Sequence, residues 1–127
     1  MKSMRTPLGR VHGLGSAKTG TEAFWHQRLT AIANIPLIIA GVVIVISLVG
    51  RNHAAAAQIL GSPVIAIVML LFILSVTYHM RIGMQVIIED YVHEEKSKLA
   101  LIVLNTFYAI AVALASAFAM LKLAWGV

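Results

Sequence analysis

The chain has 127 residues, of which 60% are hydrophobic and 12% charged, and it contains no cysteine. The charged fraction is about half that of soluble globular domains, and a chain this short cannot bury so much apolar surface in a water-soluble core. Without cysteine, disulfides, thiolate metal sites, cysteine-ligated iron–sulfur clusters and a cysteine nucleophile are all excluded. The composition therefore indicates a single-domain membrane protein.

The net charge of +5 is concentrated near the N-terminus. Half of the Lys and Arg residues precede the first apolar run: Lys2, Arg5, Arg10, Lys18 and Arg28. They do not alternate with aromatic residues as in single-strand nucleic-acid binders. We therefore expect contact with membrane lipid, charge that sets membrane topology, and no nucleic-acid partner.

Residues 1–24 contain four glycines, several small polar residues and no apolar run. They predict an extended or irregular N-terminal arm, which lacks the apolar region of a signal peptide and needs a partner to become ordered. Residues 25–127 are predicted to form one three-helix membrane anchor domain.

Three apolar runs predict three transmembrane helices, at about 29–49, 64–88 and 99–121. The first run has 21 residues without a charge and the third has 23. At ~1.5 Å per residue, such lengths cross a hydrocarbon core of ~30 Å. The first helix is expected to begin near Trp25, and a short polar link at 50–62 is expected to lead into the second.

The distribution of basic residues predicts the orientation. The N-terminal arm is basic, and the link between the second and third helices carries Lys96 and Lys98. Only Arg51 and Lys122 stand on the opposite side. The predicted fold class is therefore an all-α membrane protein with three transmembrane helices, a cytoplasmic N-terminus and a C-terminus on the opposite side.

The second apolar run holds two ionisable residues, His79 and Arg81. Such residues are expensive within a membrane and usually functional. His79 lies 12 residues before Tyr91, so roughly 18 Å from the cytoplasmic end of the helix. One interpretation is an axial ligand to haem iron, with the other ring nitrogen bonded to a carbonyl or a hydroxyl. The alternative is a histidine bonded across a helix interface for packing.

Gly83 and Asp90 share a helix face with His79. A glycine four residues from a ligand histidine lets a flat macrocycle or another helix come close. Asp90 lies 11 positions after His79, about 20° from three full turns. Tyr91, beside Asp90, either bonds a carbonyl oxygen and takes part in proton supply or is an interfacial belt tyrosine.

Two arginines differ in their expected roles. Arg28, at the start of the first helix, either meets haem propionates or a quinone head group, or only sets topology. Arg81 is about 200° from His79 around the helix. We expect it to pair with a partner subunit or to snorkel along its own helix, and not to contact a cofactor.

The segment 79–92 resembles a family signature. It has the pattern H-x3-G-x6-D-Y, formed by His79, Gly83, Asp90 and Tyr91. This pattern resembles the second helix of the hydrophobic membrane anchor subunit (the D subunit) of succinate dehydrogenase, respiratory complex II. Segments 6–17 and 25–31 are similar to the start of bacterial members, so the resemblance covers nearly the whole chain.

The resemblance implies cofactors for particular residues. His79 would be one axial ligand of a haem b, whose second ligand comes from the cytochrome b membrane subunit. Tyr91 would hydrogen-bond ubiquinone with Asp90 adjacent, and Arg28 would lie near the haem propionates or the quinone. Gly83, beside the ligand histidine, would allow close approach of the haem.

The resemblance also implies partners and a role. An iron–sulfur subunit and a flavoprotein subunit would oxidise succinate, and this chain would help pass the electrons to ubiquinone. On its own the chain would not be an enzyme. Its expected location is a bacterial inner membrane rather than a mitochondrial one. Two alternatives remain open. One is a haem-free structural anchor, and the other is a small transporter in which His79 and Arg81 line a path.

Overall fold

The structure is a computed structural model, and it describes residue 4, residues 6–13 and residues 19–126. Within these residues it is helical and contains no strand. The helices are α1 (Pro7–Val11), α2 (Thr19–Leu48), α3 (His53–Leu60), α4 (Pro63–Tyr91) and α5 (Glu95–Trp125). Three of them, α2, α4 and α5, are long and apolar enough to cross a membrane. The predicted all-α fold with three membrane-crossing helices is confirmed.

The three long helices extend beyond the apolar runs that predicted them. α2 begins at Thr19 instead of near Trp25. α4 continues to Tyr91, and α5 begins at Glu95. Backbone hydrogen bonding does not depend on apolar side chains, so each helix continues from the apolar region into a charged one. The residues at these charged ends are thereby fixed in helical register with the membrane-crossing part.

The predicted polar link at 50–62 contains a short helix, α3, which the sequence analysis did not predict. The Asn52 side chain caps α3 by accepting a hydrogen bond from the backbone N–H of Ala55 at 2.9 Å. Four consecutive alanines follow His53, and alanine has the highest helix propensity.

The arm predicted as irregular is partly helical. In α1, Pro7 occupies the first turn and the Thr6 hydroxyl accepts a hydrogen bond from Gly9 N–H at 3.0 Å. Residues 19–24 belong to α2. Residues 1–3, 5 and 14–18 lie outside the described residues, and with them Lys2, Arg5 and Lys18, on which the predicted orientation partly rests.

The central helix of the bundle is α4, which packs against both α2 and α5. α3 contacts α4 and α5. Gly61 ends α3, and a Cβ at this position would lie 2.5 Å from the backbone oxygen of Leu123 in α5. Only a glycine therefore permits this approach of the two backbones.

Polar side chains connect the helices within the apolar region. Between α2 and α4, Ser75 Oγ donates to Asn34 Oδ1 at 2.6 Å, and Asn34 is buried. Between α4 and α5, Asn105 Nδ2 donates to the backbone oxygen of Arg81 at 2.9 Å. In lipid, such bonds and close packing hold helices together, because burying apolar side chains gives little advantage there. Apolar side chains are widely exposed instead, among them Ile39, Leu74 and Phe118.

Candidate functional site

A cavity of about 710 Å³ lies between the first half of α2 and the second half of α4. Its polar lining residues are Gln27 and Arg28 from α2 and His79 and Glu89 from α4. The remaining walls are largely apolar, with Phe24, Ile32, Ile82 and Val86 among them. The cavity is open along the helix surface, so this chain forms only part of its wall.

His79 is half-buried and hydrogen-bonded to α2. Its Nδ1 lies 3.0 Å from the Thr30 hydroxyl oxygen. That hydroxyl lies 2.7 Å from the backbone oxygen of His26 and 3.1 Å from that of Gln27, and it donates its proton to these carbonyls. A hydroxyl has a single proton, so when Thr30 gives it to one of these carbonyls, Nδ1 of His79 is the donor in the bond to Thr30. The neutral ring then carries its lone pair on Nε2.

Arg28 brings a positive charge to the same cavity. Its guanidinium carbon lies 4.6 Å from the centre of the Phe24 ring, one helical turn earlier on α2. The aromatic face stabilises the cation and fixes its position on the helix surface. The structure therefore brings together two of the residues that the sequence singled out, His79 and Arg28.

Gly83 lies against α2. A Cβ added to Gly83 would be 3.7 Å from Gln27 Nε2. Of the two expected neighbours of this glycine, a macrocycle or another helix, the structure places another helix there. The amide oxygen of Gln27 is buried and has no hydrogen-bond partner among the described residues.

Asp90 and Tyr91 lie at the exposed end of α4 and do not line the cavity. The Tyr91 side chain is 78% exposed. Glu89 lines the cavity instead, and its Oε1 accepts a hydrogen bond from Gln85 Nε2 at 2.8 Å. Asp90 and Tyr91 therefore lie outside the cavity that His79 lines.

Arg81 is on a different side of α4 from His79. It lines a groove between α4 and α5, and its Nε donates to Thr106 Oγ1 at 3.3 Å. His79 faces the cavity between α4 and α2. His79 and Arg81 therefore line different cavities.

Metal-ligand clusters are absent from residues 6–13 and 19–126. No three His, Asp or Glu side chains gather there in a way that would hold a metal ion. His79 by itself can supply one nitrogen ligand. A metal bound by it would take its remaining ligands from a macrocycle or from another chain.

Sequence reasoning did not single out Thr30, Gln27 or Glu89. Thr30 and His79 are 49 residues apart, and no motif in either segment marks them as a pair. Thr30 does lie two residues after Arg28, within the segment that carries the resemblance. Only the packing of α2 on α4 shows that its hydroxyl meets the histidine.

The chain is similar to proteins of known type. Residues 2–113 match the family model described as succinate dehydrogenase/fumarate reductase transmembrane subunit. The succinate dehydrogenase hydrophobic membrane anchor subunit of Paracoccus denitrificans is 27% identical over 121 residues, which are 95% of this chain and 93% of that protein. The subunit of the same name from Rickettsia bellii is 31% identical over 108 residues, covering 84% of this chain and 85% of that protein.

A third relative is the succinate dehydrogenase membrane anchor subunit of Reclinomonas americana, 31% identical over 96 residues, with 73% of this chain and 80% of that protein covered. No solved structure matches the chain significantly. The family model covers most of the chain, and the relatives align over most of their own length as well. This chain therefore belongs to the succinate dehydrogenase/fumarate reductase transmembrane subunit family.

Proposed function

We propose that this chain is a membrane anchor subunit of succinate dehydrogenase in a bacterial inner membrane. In this role it contributes His79 as one axial ligand of a haem b and Tyr91, with Asp90, to a ubiquinone site. The names of the relatives support the anchor role, and three apolar helices supply the anchor itself. The partners would be the cytochrome b, iron–sulfur and flavoprotein subunits, so that the chain is a non-catalytic part of the complex.

The observation that carries the haem assignment is the bond between Thr30 and His79. When the Thr30 proton bonds a backbone carbonyl, the ring carries its own proton on Nδ1, and the Nε2 lone pair is available to a metal. A second-shell bond of this kind is what ligand histidines normally make. A ring held only for packing would gain more from using both nitrogens, because an unpaired polar atom in hydrocarbon is costly.

The other residues of the cavity fit the same group. Haem is a flat apolar macrocycle with two carboxylate side chains. Apolar walls of Ile82 and Val86 suit the ring, and the Arg28 guanidinium suits a carboxylate. When bound, haem supplies a site that accepts and releases one electron. The chain's own contribution is to orient the imidazole, to exclude water on one side and to place a positive charge.

The quinone assignment depends on Asp90 and Tyr91 at the exposed end of α4. Their exposure leaves the phenol free to meet a ligand or a partner chain, since 78% of the Tyr91 side chain is accessible. A phenolic hydroxyl can donate a hydrogen bond to a quinone carbonyl, and a neighbouring carboxylate can deliver or receive the proton. The relatives' function and the D-Y pair of the sequence support this assignment.

The haem assignment is tested on the purified complex by reduced-minus-oxidised absorption spectra. We expect His79→Ala to lose the b-type band while His53→Ala, in the exposed first turn of α3, retains it. Normal haem in His79→Ala would refute the ligand assignment. The quinone assignment is tested separately with Tyr91→Phe, which should lower quinone reduction and leave succinate oxidation by an artificial acceptor intact. Unchanged quinone reduction would remove Tyr91 from the site.

A haem-free anchor is the second candidate, because the Thr30–His79 bond also joins two helices. In that case the reduced-minus-oxidised spectrum of the wild-type complex has no b-type band. His79→Ala would then lower only its stability, by an amount typical of an interhelix hydrogen bond in a membrane, about 0.6 kcal/mol. The spectrum of the wild-type complex decides between the two.

A further inference from the structure

Arg81 is a positive charge placed deep in an apolar region. It lies 10 residues before Tyr91, the last residue of α4, so roughly 15 Å from that helix end. Charged residues at such depth are rare and are normally paired or turned toward a protein interior. The acidic residues of the chain stand near the ends of the long helices, and none lines the groove beside Arg81: Glu22, Glu89, Asp90, Glu94 and Glu95.

Two contacts with α5 hold Arg81 at this depth. Its Nε donates to Thr106 Oγ1 at 3.3 Å, and its backbone oxygen accepts from Asn105 Nδ2 at 2.9 Å. Thr106 is 11 residues beyond the start of α5, so its hydroxyl also lies roughly 16 Å from the same end of the bundle. The guanidinium is therefore directed across to α5 and not along its helix toward the surface.

This leaves most of the guanidinium without a partner. The group has five N–H donors, and within the described part of the chain only Nε has an acceptor. Unpaired donors of a cation are costly in hydrocarbon, more so than those of a neutral group. A negatively charged acceptor from outside this chain would pair these donors.

Small and apolar side chains line the groove beside Arg81. On the α5 side it is lined by Ala109 and Ala113, one turn apart, and by Ile110, which is 48% exposed. Small residues let helix backbones approach closely in membranes. On the α4 side the groove reaches Tyr78, whose hydroxyl lies 2.9 Å from His26 Nδ1 in α2.

We propose that the groove between α4 and α5 receives a transmembrane helix of another subunit, which places an aspartate or glutamate carboxylate against the Arg81 guanidinium. The proposal rests on the proposed function only in requiring a partner subunit, and it needs neither haem nor quinone. Arg81 acts there as an assembly contact. It selects a partner helix that carries the opposite charge, because any other helix would leave the cation unpaired.

A lipid phosphate is a less suitable counter-charge than a carboxylate on a helix. Phosphates lie in the headgroup region, whereas Thr106 holds the guanidinium below it. A carboxylate on a helix can sit at any depth. Pairing of Arg81 with a lipid phosphate is nevertheless distinguished from pairing with a carboxylate by the crosslinking test below.

The first test uses photocrosslinking in native membranes that contain the whole complex. The photoreactive amino acid benzoylphenylalanine replaces Ile110, inside the groove, or Leu104, which lines a separate groove between α4 and α5. We expect Ile110 to crosslink to one transmembrane segment of a partner subunit with an Asp or Glu near mid-membrane, and Leu104 not to reach that segment. Crosslinking of Ile110 to lipid alone, or to a segment without an acidic residue, would overturn the proposal.

The second test concerns the charge itself. We expect Arg81→Gln to speed dissociation of this chain from the detergent-solubilised complex by roughly tenfold, whereas Arg81→Lys changes it far less. Lys122→Gln, in the last turn of α5, is the control for loss of a positive charge. Neutralising the crosslinked acid in the partner should produce the same effect, and combining it with Arg81→Gln should add nothing further. Additive effects, or an Arg81→Gln complex as stable as the control, would refute the ion pair.

These results are independent of the haem and quinone assignments. A wild-type complex without a b-type band but with the expected crosslink would refute the haem assignment and leave the Arg81 contact standing. A b-type spectrum without the crosslink would do the reverse.

Discussion

Replacing Thr30 with valine removes the hydroxyl that bonds His79 and preserves the shape of the side chain. The Nδ1–H of His79, now 3.0 Å from the Thr30 oxygen, would face a methyl group. The backbone oxygens of His26 and Gln27, to which the hydroxyl donates, keep their helical N–H partners in α2. The main loss is therefore the bond to the histidine.

The size of the effect follows from leaving one donor unpaired in an apolar region. This costs about 1–3 kcal/mol, and each 1.4 kcal/mol is about tenfold in affinity. Loss of the second-shell partner of a metal-bound histidine typically lowers metal affinity by about 10–100-fold. We therefore expect Thr30→Val to weaken haem binding by about 10–100-fold. The haem that remains should have a higher midpoint potential, because its ligand is a weaker electron donor.

The assay is the ratio of haem to flavin in the purified complex, followed by a redox titration at b-type wavelengths. Thr30→Ser is the matched control, since it keeps the hydroxyl, and it should retain haem content and potential close to wild type. If Thr30→Val binds haem with unchanged content and potential, then Thr30 does not fix the tautomer of His79. The inference that Nε2 is free for iron would lose its support.

Three further perturbations test other parts of the structure. Arg28→Gln should lower the haem-to-flavin ratio more than Arg28→Lys, because only lysine retains a positive charge at the cavity; equal ratios would exclude a role for the charge. Gly61→Ala should lower the free energy of unfolding by about 1–3 kcal/mol, because its Cβ would lie 2.5 Å from a backbone oxygen of α5. The control Gly41→Ala should change it little, because its Cβ would lie 3.7 Å from the nearest side-chain atom. Asn34→Leu and Ser75→Ala should each destabilise the complex by about 0.6–1.7 kcal/mol, and additive effects in the double variant would show that the 2.6 Å bond is not shared.

The sequence was sufficient to predict the membrane-crossing helices because one physical rule dominates them. A charge-free run of 21 or 23 residues has few alternatives to a helix across a bilayer. The rule does not address residues outside the hydrocarbon. For this reason the start of α2 at Thr19 and the helix α3 at His53–Leu60 were not predicted. Both depend on local capping and propensity, which are weaker signals.

The candidate site was predictable where burial of a polar group makes it conspicuous. His79 was identified in this way. Arg28, which is exposed, was singled out by its position at the start of the first helix, and both residues line the cavity. The bond to Thr30 was not predictable, because it depends on the rotation of α2 against α4, and no periodicity reports that rotation. Helical spacing placed Gly83 on the face of His79, but it could not show that this face packs near Gln27 of α2.

The central position of α4 has a consequence for the life of the newly made chain. Among the described residues, the imidazole of His79 and the guanidinium of Arg81 each have one side-chain hydrogen-bond partner, and each lines an open cavity. Until other subunits arrive, lipid tails cover those cavities and solvate neither group. An unassembled copy should therefore be less stable than an assembled one. In cells that lack the partner subunit, we expect membrane proteases to degrade it faster.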